Sequence, residues 1–250
     1  MGIPTALAIL VAGFLIGATG IGGVLVVPAL TQWGGLELPL SISAAAIAFA
    51  MPGAAALVWL WRSGTWTARW NALLLGALPA AVAGALLVHA IDPGWLFAGV
   101  AALALFSGAR GIHQLRAHGG PPSGTQQEPG VLALLLLGAA VGFGSAITGT
   151  GGPVLLVPAL MLWRQPVERT VAAAQAIQLP VAVCAGAAHA AAGALDWKLA
   201  LILGVVLLGG SIGGQAAARR LPTRALQGVV SVLLLLVGGW FGWRALEMLG

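Results

Sequence analysis

Two short blocks, Thr19-Gly20-Ile21-Gly22-Gly23 and Thr148-Gly149-Thr150-Gly151-Gly152, interrupt otherwise apolar sequence, and Ser145 lies one turn ahead of the second. Glycine lets another group approach the backbone closely. A helix that starts after such a block has first-turn N–H groups without intrahelical partners and a positive dipole end. Adding the hydroxyls of Thr19, Ser145, Thr148 and Thr150 makes a site of neutral donors suited to a small oxyanion that must also leave. The candidate binding residues are therefore Thr19, Gly20, Gly22, Gly23, Ser145, Thr148, Gly149, Thr150, Gly151 and Gly152. Gln175 and Gln178 join them, three apart on one helix face and deep in an apolar stretch. These amides either line the anion's path or hydrogen-bond helices together.

The elements that must hold such blocks are membrane spans. Of the 250 residues, 60% are apolar and only 7% charged, whereas a soluble domain carries about 25% charged residues. Mean hydropathy is +1.01. Charge-free stretches lie at 3–33, 41–61, 70–91, 94–109, 130–163, 170–195, 199–218 and 225–243, and several of them run to the roughly 20 residues needed to cross the hydrocarbon. The strict alternation of a membrane β-barrel is absent. The expected fold class is an all-α polytopic membrane protein. Tryptophans fall near span ends, as interfacial anchors do. The N-terminus lacks a basic region, so no removable signal peptide is expected.

The chain repeats itself. Residues 13–30 and 142–160 align with one inserted residue, Pro153, and both end in Val-Pro-Ala-Leu. Weaker matches follow, among them Pro52 with Pro180 and Gly84 with Gly213. The expected organisation is an N-terminal repeat at 1–113, a polar Pro/Gly/Gln-rich linker at 114–129 and a C-terminal repeat at 130–250. Each repeat opens with a stretch too long for one upright span and broken at its glycines. If both stretches cross the membrane, six basic residues face five. If both turn back, Arg62, Arg69, Arg110, Arg116, Arg164, Arg169, Arg219, Arg220 and Arg224 share one side, against Lys198 and Arg244. Nine against two obeys the positive-inside rule. The spacing thus predicts two inverted repeats, each a re-entrant broken hairpin followed by three crossing helices. The two tips would meet near the midplane, where paired interrupted segments mark transporter sites.

Several classes are excluded by what is missing. The six carboxylates, Glu37, Asp92, Glu128, Glu168, Asp196 and Glu247, all lie at span ends or loops, so no cation or proton site of the usual intramembrane kind is expected. No cluster of metal ligands, no cofactor motif and no nucleophile–base pair is present. His89 and His189 are isolated, and the lone Cys184 reads as a buried thiol. The net charge of +5 comes from scattered arginines at span ends, which argues for topology signals and against nucleic-acid binding.

The duplicated Thr-Gly-x-Gly-Gly…Val-Pro-x-Leu blocks, the polar central linker and the chain length resemble the sulfite exporter TauE/SafE family of bacterial membrane permeases. The resemblance covers nearly the whole chain. It implies transport of small sulfur-containing anions, such as sulfite, sulfoacetate or other organosulfonates, outward across the bacterial inner membrane, with the 110–129 linker cytoplasmic. The expected partners are that anion and the lipid bilayer. An anion channel, a transporter of another small organic anion and a structural subunit packed through Gly-rich faces remain alternatives. Substrate identity, direction, coupling ion and oligomeric state stay open.

Overall fold

The computed structural model describes residues 2–64, 66–87, 93–116, 129–148, 152–191 and 196–249. Among these, every regular element is helical. Four helical segments, Leu40–Arg62, Val167–Ala187, Trp197–Ala218 and Thr223–Leu249, are long and apolar enough to cross a membrane. The chain is an all-α polytopic membrane protein.

Helix α1 (Ile3–Thr19) starts with proline in its first turn and stops at Gly20, which has φ of +81°. That left-handed conformation is costly for any residue with a Cβ. The chain then reverses. Gly22 lies so close to Ala12, Leu15 and Ile16 that a Cβ there would strike the α1 backbone. The returning arm, α2 (Gly22–Trp33), corrects the expectation of a regular half-helix. It opens as a 3-10 turn over Gly22–Leu25 and closes as a π turn over Ala29–Trp33. Pro28 has no N–H for the carbonyl of Val24 and its ring crowds that carbonyl, so a regular α ladder cannot run through. The second hairpin is more regular. Helix α7 (Val131–Thr148) is followed by α8 (Pro153–Leu162), with the inserted Pro153 in its first turn. Proline there is preset for helix and gives up only an N–H that would lack a partner.

After each hairpin comes a span that both repeats break at the same place. Helices α3 (Leu38–Ala48) and α4 (Ala50–Arg62) flank Phe49; α9 (Val167–Ala176) and α10 (Gln178–Ala191) flank Ile177. Pro52 and Pro180 each stand four residues after the last residue of the preceding helix, Ala48 and Ala176. Each proline cannot bond that residue's carbonyl and clashes with it, which explains the break. Helices α5 (Asn71–Leu87) and α6 (Pro93–Arg116) finish the first half; α11 (Trp197–Ala218) and α12 (Thr223–Leu249) finish the second. Helix α6 continues to Arg116, a turn into the stretch read as linker; 117–128 lie outside the described residues.

The two halves interlock. Helix α1 packs on α11 and α7 packs on α5. Gly13, Gly17, Gly210 and Gly214 bring the α1 and α11 backbones together, and Gly76, Gly84, Gly138 and Gly142 do the same for α5 and α7. Lacking a hydrophobic drive in lipid, helices gain most from such close backbone approach. Both pairs run parallel, with Gly13 at Leu207 and Gly17 at Ser211, and with Leu73 at Gly138 and Ala77 at Gly142. The pairs formed between equivalent helices run antiparallel. Gly108 meets Ser231 and Gly242 meets Ala101 across α6 and α12; Gly53 of α4 and Ile47 of α3 meet Leu179 and Gly186 of α10.

One end of the bundle gathers the arginines. Arg219 lies over the Trp59 ring at 5.1 Å and Arg169 over Trp70 at 5.8 Å. Thr223 Oγ1 donates to Glu168 at 3.0 Å, and Arg224 donates to the Leu115 carbonyl at 3.3 Å. These contacts join the ends of α4, α6 and α11 to the starts of α5, α9 and α12, beside Arg62, Arg69, Arg116 and Arg220. Lys198 and Arg244 stand at the other end, at the start of α11 and near the end of α12. Trp70 departs from the anchoring expectation. It is 1% exposed and fills the largest apolar cluster, because Trp66 and Arg169 stack over it.

Candidate functional site

The two tips converge on one helical segment. Gly20 packs against Val171 and Ala174 of α9 and against Val157 of α8. Gly152 packs against Ile177, the break between α9 and α10. Residues 171, 174 and 177 recur at three-residue spacing, so neighbouring positions of one segment meet both tips.

At the first tip the threonine hydroxyl is already paired. Thr19 is fully buried; its hydroxyl donates to the Leu15 carbonyl at 2.7 Å and accepts from the Ile21 N–H at 3.3 Å. That is the i−4 back-bond threonine favours inside helices, and it closes the cap of α1. Gly20, Gly22 and Gly23 are buried. Ile16 and Ile21 stand where the second tip has Ser145 and Thr150.

The second tip leaves polar atoms open. Gly152 caps α8 with φ of +101°, and the N–H groups of Leu155 and Leu156 both bond its carbonyl at 3.2 Å. Ser145 Oγ is buried without a hydrogen-bond partner and points at this cap, 3.2 Å from where a Cβ on Gly152 would sit. Gln178, the first residue of α10, is fully buried, and neither its amide N nor its amide O has a partner. Buried polar groups are nearly always paired, so each such orphan asks for an explanation. Thr148 ends α7; Gly149, Thr150 and Gly151 lie outside the described residues.

Gln175 differs from its neighbour. Its Nε2 donates to the Gly17 carbonyl at 3.1 Å, and its Oε1 accepts from Gln215 Nε2 at 2.7 Å and Ser211 Oγ at 3.4 Å. The amide thus ties the end of α1 to α9 and α11. In sequence, Gln215 and Ser211 carry no signal beyond their place four residues apart on α11.

Gln175 also forms part of the floor of a cavity of about 460 Å³ measured out to its open mouth, lined by Gly17, Gln215, Trp59, Glu168 and Arg219 among others. The mouth lies at the arginine-rich end. Gln178 lies three residues further along α9–α10 than Gln175, away from the arginine-rich end. Among the described residues no group of three or more His, Cys, Asp or Glu side chains could hold a metal ion. Cys184 is buried and donates to the Leu78 carbonyl at 3.3 Å.

Compared with known proteins, the chain matches the family model for the sulfite exporter TauE/SafE over residues 5–241, nearly its whole length. No curated protein and no solved structure matches.

Proposed function

The chain belongs to the sulfite exporter TauE/SafE family, membrane transporters of sulfite-type anions, and from that premise we propose that it exports a small sulfur-containing anion by alternating access between two inverted repeats. The observation that carries this reading is the cavity running from the arginine-rich end down to Gln175, beside the first hairpin tip. By the positive-inside rule that end is cytoplasmic. The antiparallel pairing of α6 with α12 and of α4 with α10 supports inversion of the second repeat, since an axis lying in the membrane plane reverses every helix it maps onto its mate.

The mechanism follows from the chain's own groups. Arg219, held over Trp59, together with Arg169, Arg220 and Arg224, raises the local anion concentration at the mouth, as charge-lined clefts do. The anion sheds water along Gln215 and Gln175. Breaking the bonds from Gln175 to Gly17 and Gln215 opens the way to Gln178 and the second tip. The breaks at Phe49 and Ile177 let each span bend as one half rocks against the other. Neutral donors then release the anion to the far side. An inside-negative potential drives a monoanion outward by about 2.3 kcal/mol per 100 mV, so export needs no coupling ion.

Proteoliposome flux of sulfite tests this. Flux should rise with a potential that is negative on the arginine-rich side. Flux indifferent to voltage and dependent on a proton gradient would remove the uniport reading. Unitary currents would favour a channel.

A further inference from the structure

We infer that the cavity at the arginine-rich end takes an organic sulfonate, a monoanion with one charged head and a short uncharged carbon tail, in preference to bare sulfite. The inference rests on the transport reading above and names the substrate class of that cavity.

The lining divides by chemistry. Its walls include Ala56 and Trp59 of α4, Ala172 of α9 and Leu226 of α12. Ala56, Ala172 and Leu226 are buried, so these walls are packed apolar side chains. They offer no hydrogen bond to the oxygens of sulfite, but they hold a carbon tail by taking it out of water. The floor points the same way. Gln175 Nε2 already donates to the Gly17 carbonyl, and its Oε1 already accepts from Gln215 and Ser211. A bare oxyanion that reaches the floor competes with those bonds. An apolar tail lies against the walls and leaves them in place. Charge fixes the orientation. The cation in the lining is Arg219, held over the Trp59 ring at 5.1 Å. A guanidinium fork pairs with two oxygens of an oxyanion at once, so the head stays at the mouth and the tail runs inward. Glu168 lines the same cavity, where Thr223 Oγ1 donates to its carboxylate at 3.0 Å. That carboxylate repels a second negative charge on the ligand, which disfavours a tail ending in an acid group.

The test titrates the intact protein in phosphatidylcholine nanodiscs with methane-, ethane-, propane- and butanesulfonate, protein-free nanodiscs correcting for partition into lipid. Affinity should rise about fourfold for each methylene that enters the cavity, and sulfite should bind more weakly than butanesulfonate. Affinity that stays level or falls along the series would overturn the inference. 3-Sulfopropionate, which carries a carboxylate where propanesulfonate has its methyl, should bind more weakly than propanesulfonate; equal or tighter binding would count against the assignment. Arg219→Gln should weaken every member a few-fold and keep the slope of the series, and wild-type affinity in this variant would place the head elsewhere, against the inference. An anionic phospholipid also joins a charged head to a carbon tail. Phosphatidylglycerol added to the nanodiscs should leave the series unchanged; if it abolishes butanesulfonate binding, the cavity is a lipid site and the inference fails. Proteoliposome flux keeps the two readings apart. A level series with sulfite flux intact would sink the inference alone. A graded series with no flux of sulfite or of any sulfonate would remove the transport reading and leave the ligand assignment standing.

Discussion

The two hairpin tips share one repeated block, yet their polar side chains are placed differently. At the first, Thr19 spends its hydroxyl on Leu15 and Ile21, and apolar Ile16 and Ile21 stand where Ser145 and Thr150 stand in the second. At the second, Ser145 Oγ is buried with nothing to bond; Gln178 of α10 is likewise buried and unpaired, and Ala50 stands where repeat one would carry it. A tip whose threonine hydroxyl is already paired needs no ligand to satisfy it. A tip with orphaned donors and acceptors stores a cost that a ligand can relieve. The glycines of both halves supply similar close helix packing, while at the tips the unpaired hydroxyl, that of Ser145, lies in the second half.

The symmetric part of this contrast should break symmetrically. Gly17→Val drives a side chain into the Ser211 backbone, and Gly142→Val drives one into that of Ala77. Both variants should lose about 3 kcal/mol or more, seen as lost expression or a collapsed melting temperature in detergent. A large effect in only one half would argue against equivalent packing.

The glutamines should then separate structure from function. Gln175→Leu strips partners from the Gly17 carbonyl and from Gln215, so it should destabilise by about 1–3 kcal/mol. Gln178→Leu removes two orphaned atoms and should leave stability equal or higher, by about 1 kcal/mol, while lowering flux. Thermal melts of the two purified variants, paired with flux, decide this. Equal destabilisation would mean that Gln178 is already paired.

The smallest effect belongs to the mouth. Arg219→Gln should slow sulfite flux a few-fold at low ionic strength and hardly at all in high salt, where screening hides the lost charge. Flux measured across a salt series checks it.

Much of this architecture was readable from residue types alone. Glycine and proline mark the hairpin breaks, and the arginine tally chose re-entrant hairpins; the contacts of Arg169, Arg219 and Arg224 put those basic span ends together. The breaks at Phe49 and Ile177 cannot be read from Pro52 and Pro180 alone, because a proline inside a span often leaves only a bend. Thr19 looked like a free donor, since back-bonding depends on how the chain leaves α1. The roles of Gln175 and Gln178 could not be told apart in sequence. Gln175's partners lie 158, 36 and 40 positions away, so only the tertiary fold shows which amide is spoken for.

The most direct test of unequal tips is the rise in melting temperature that sulfite produces in the wild type, in Thr19→Val and in Ser145→Ala. Thr19→Val should melt lower than wild type yet keep the sulfite-induced rise, and Ser145→Ala should melt near wild type and lose most of it. A rise abolished by Thr19→Val and kept by Ser145→Ala would contradict the account.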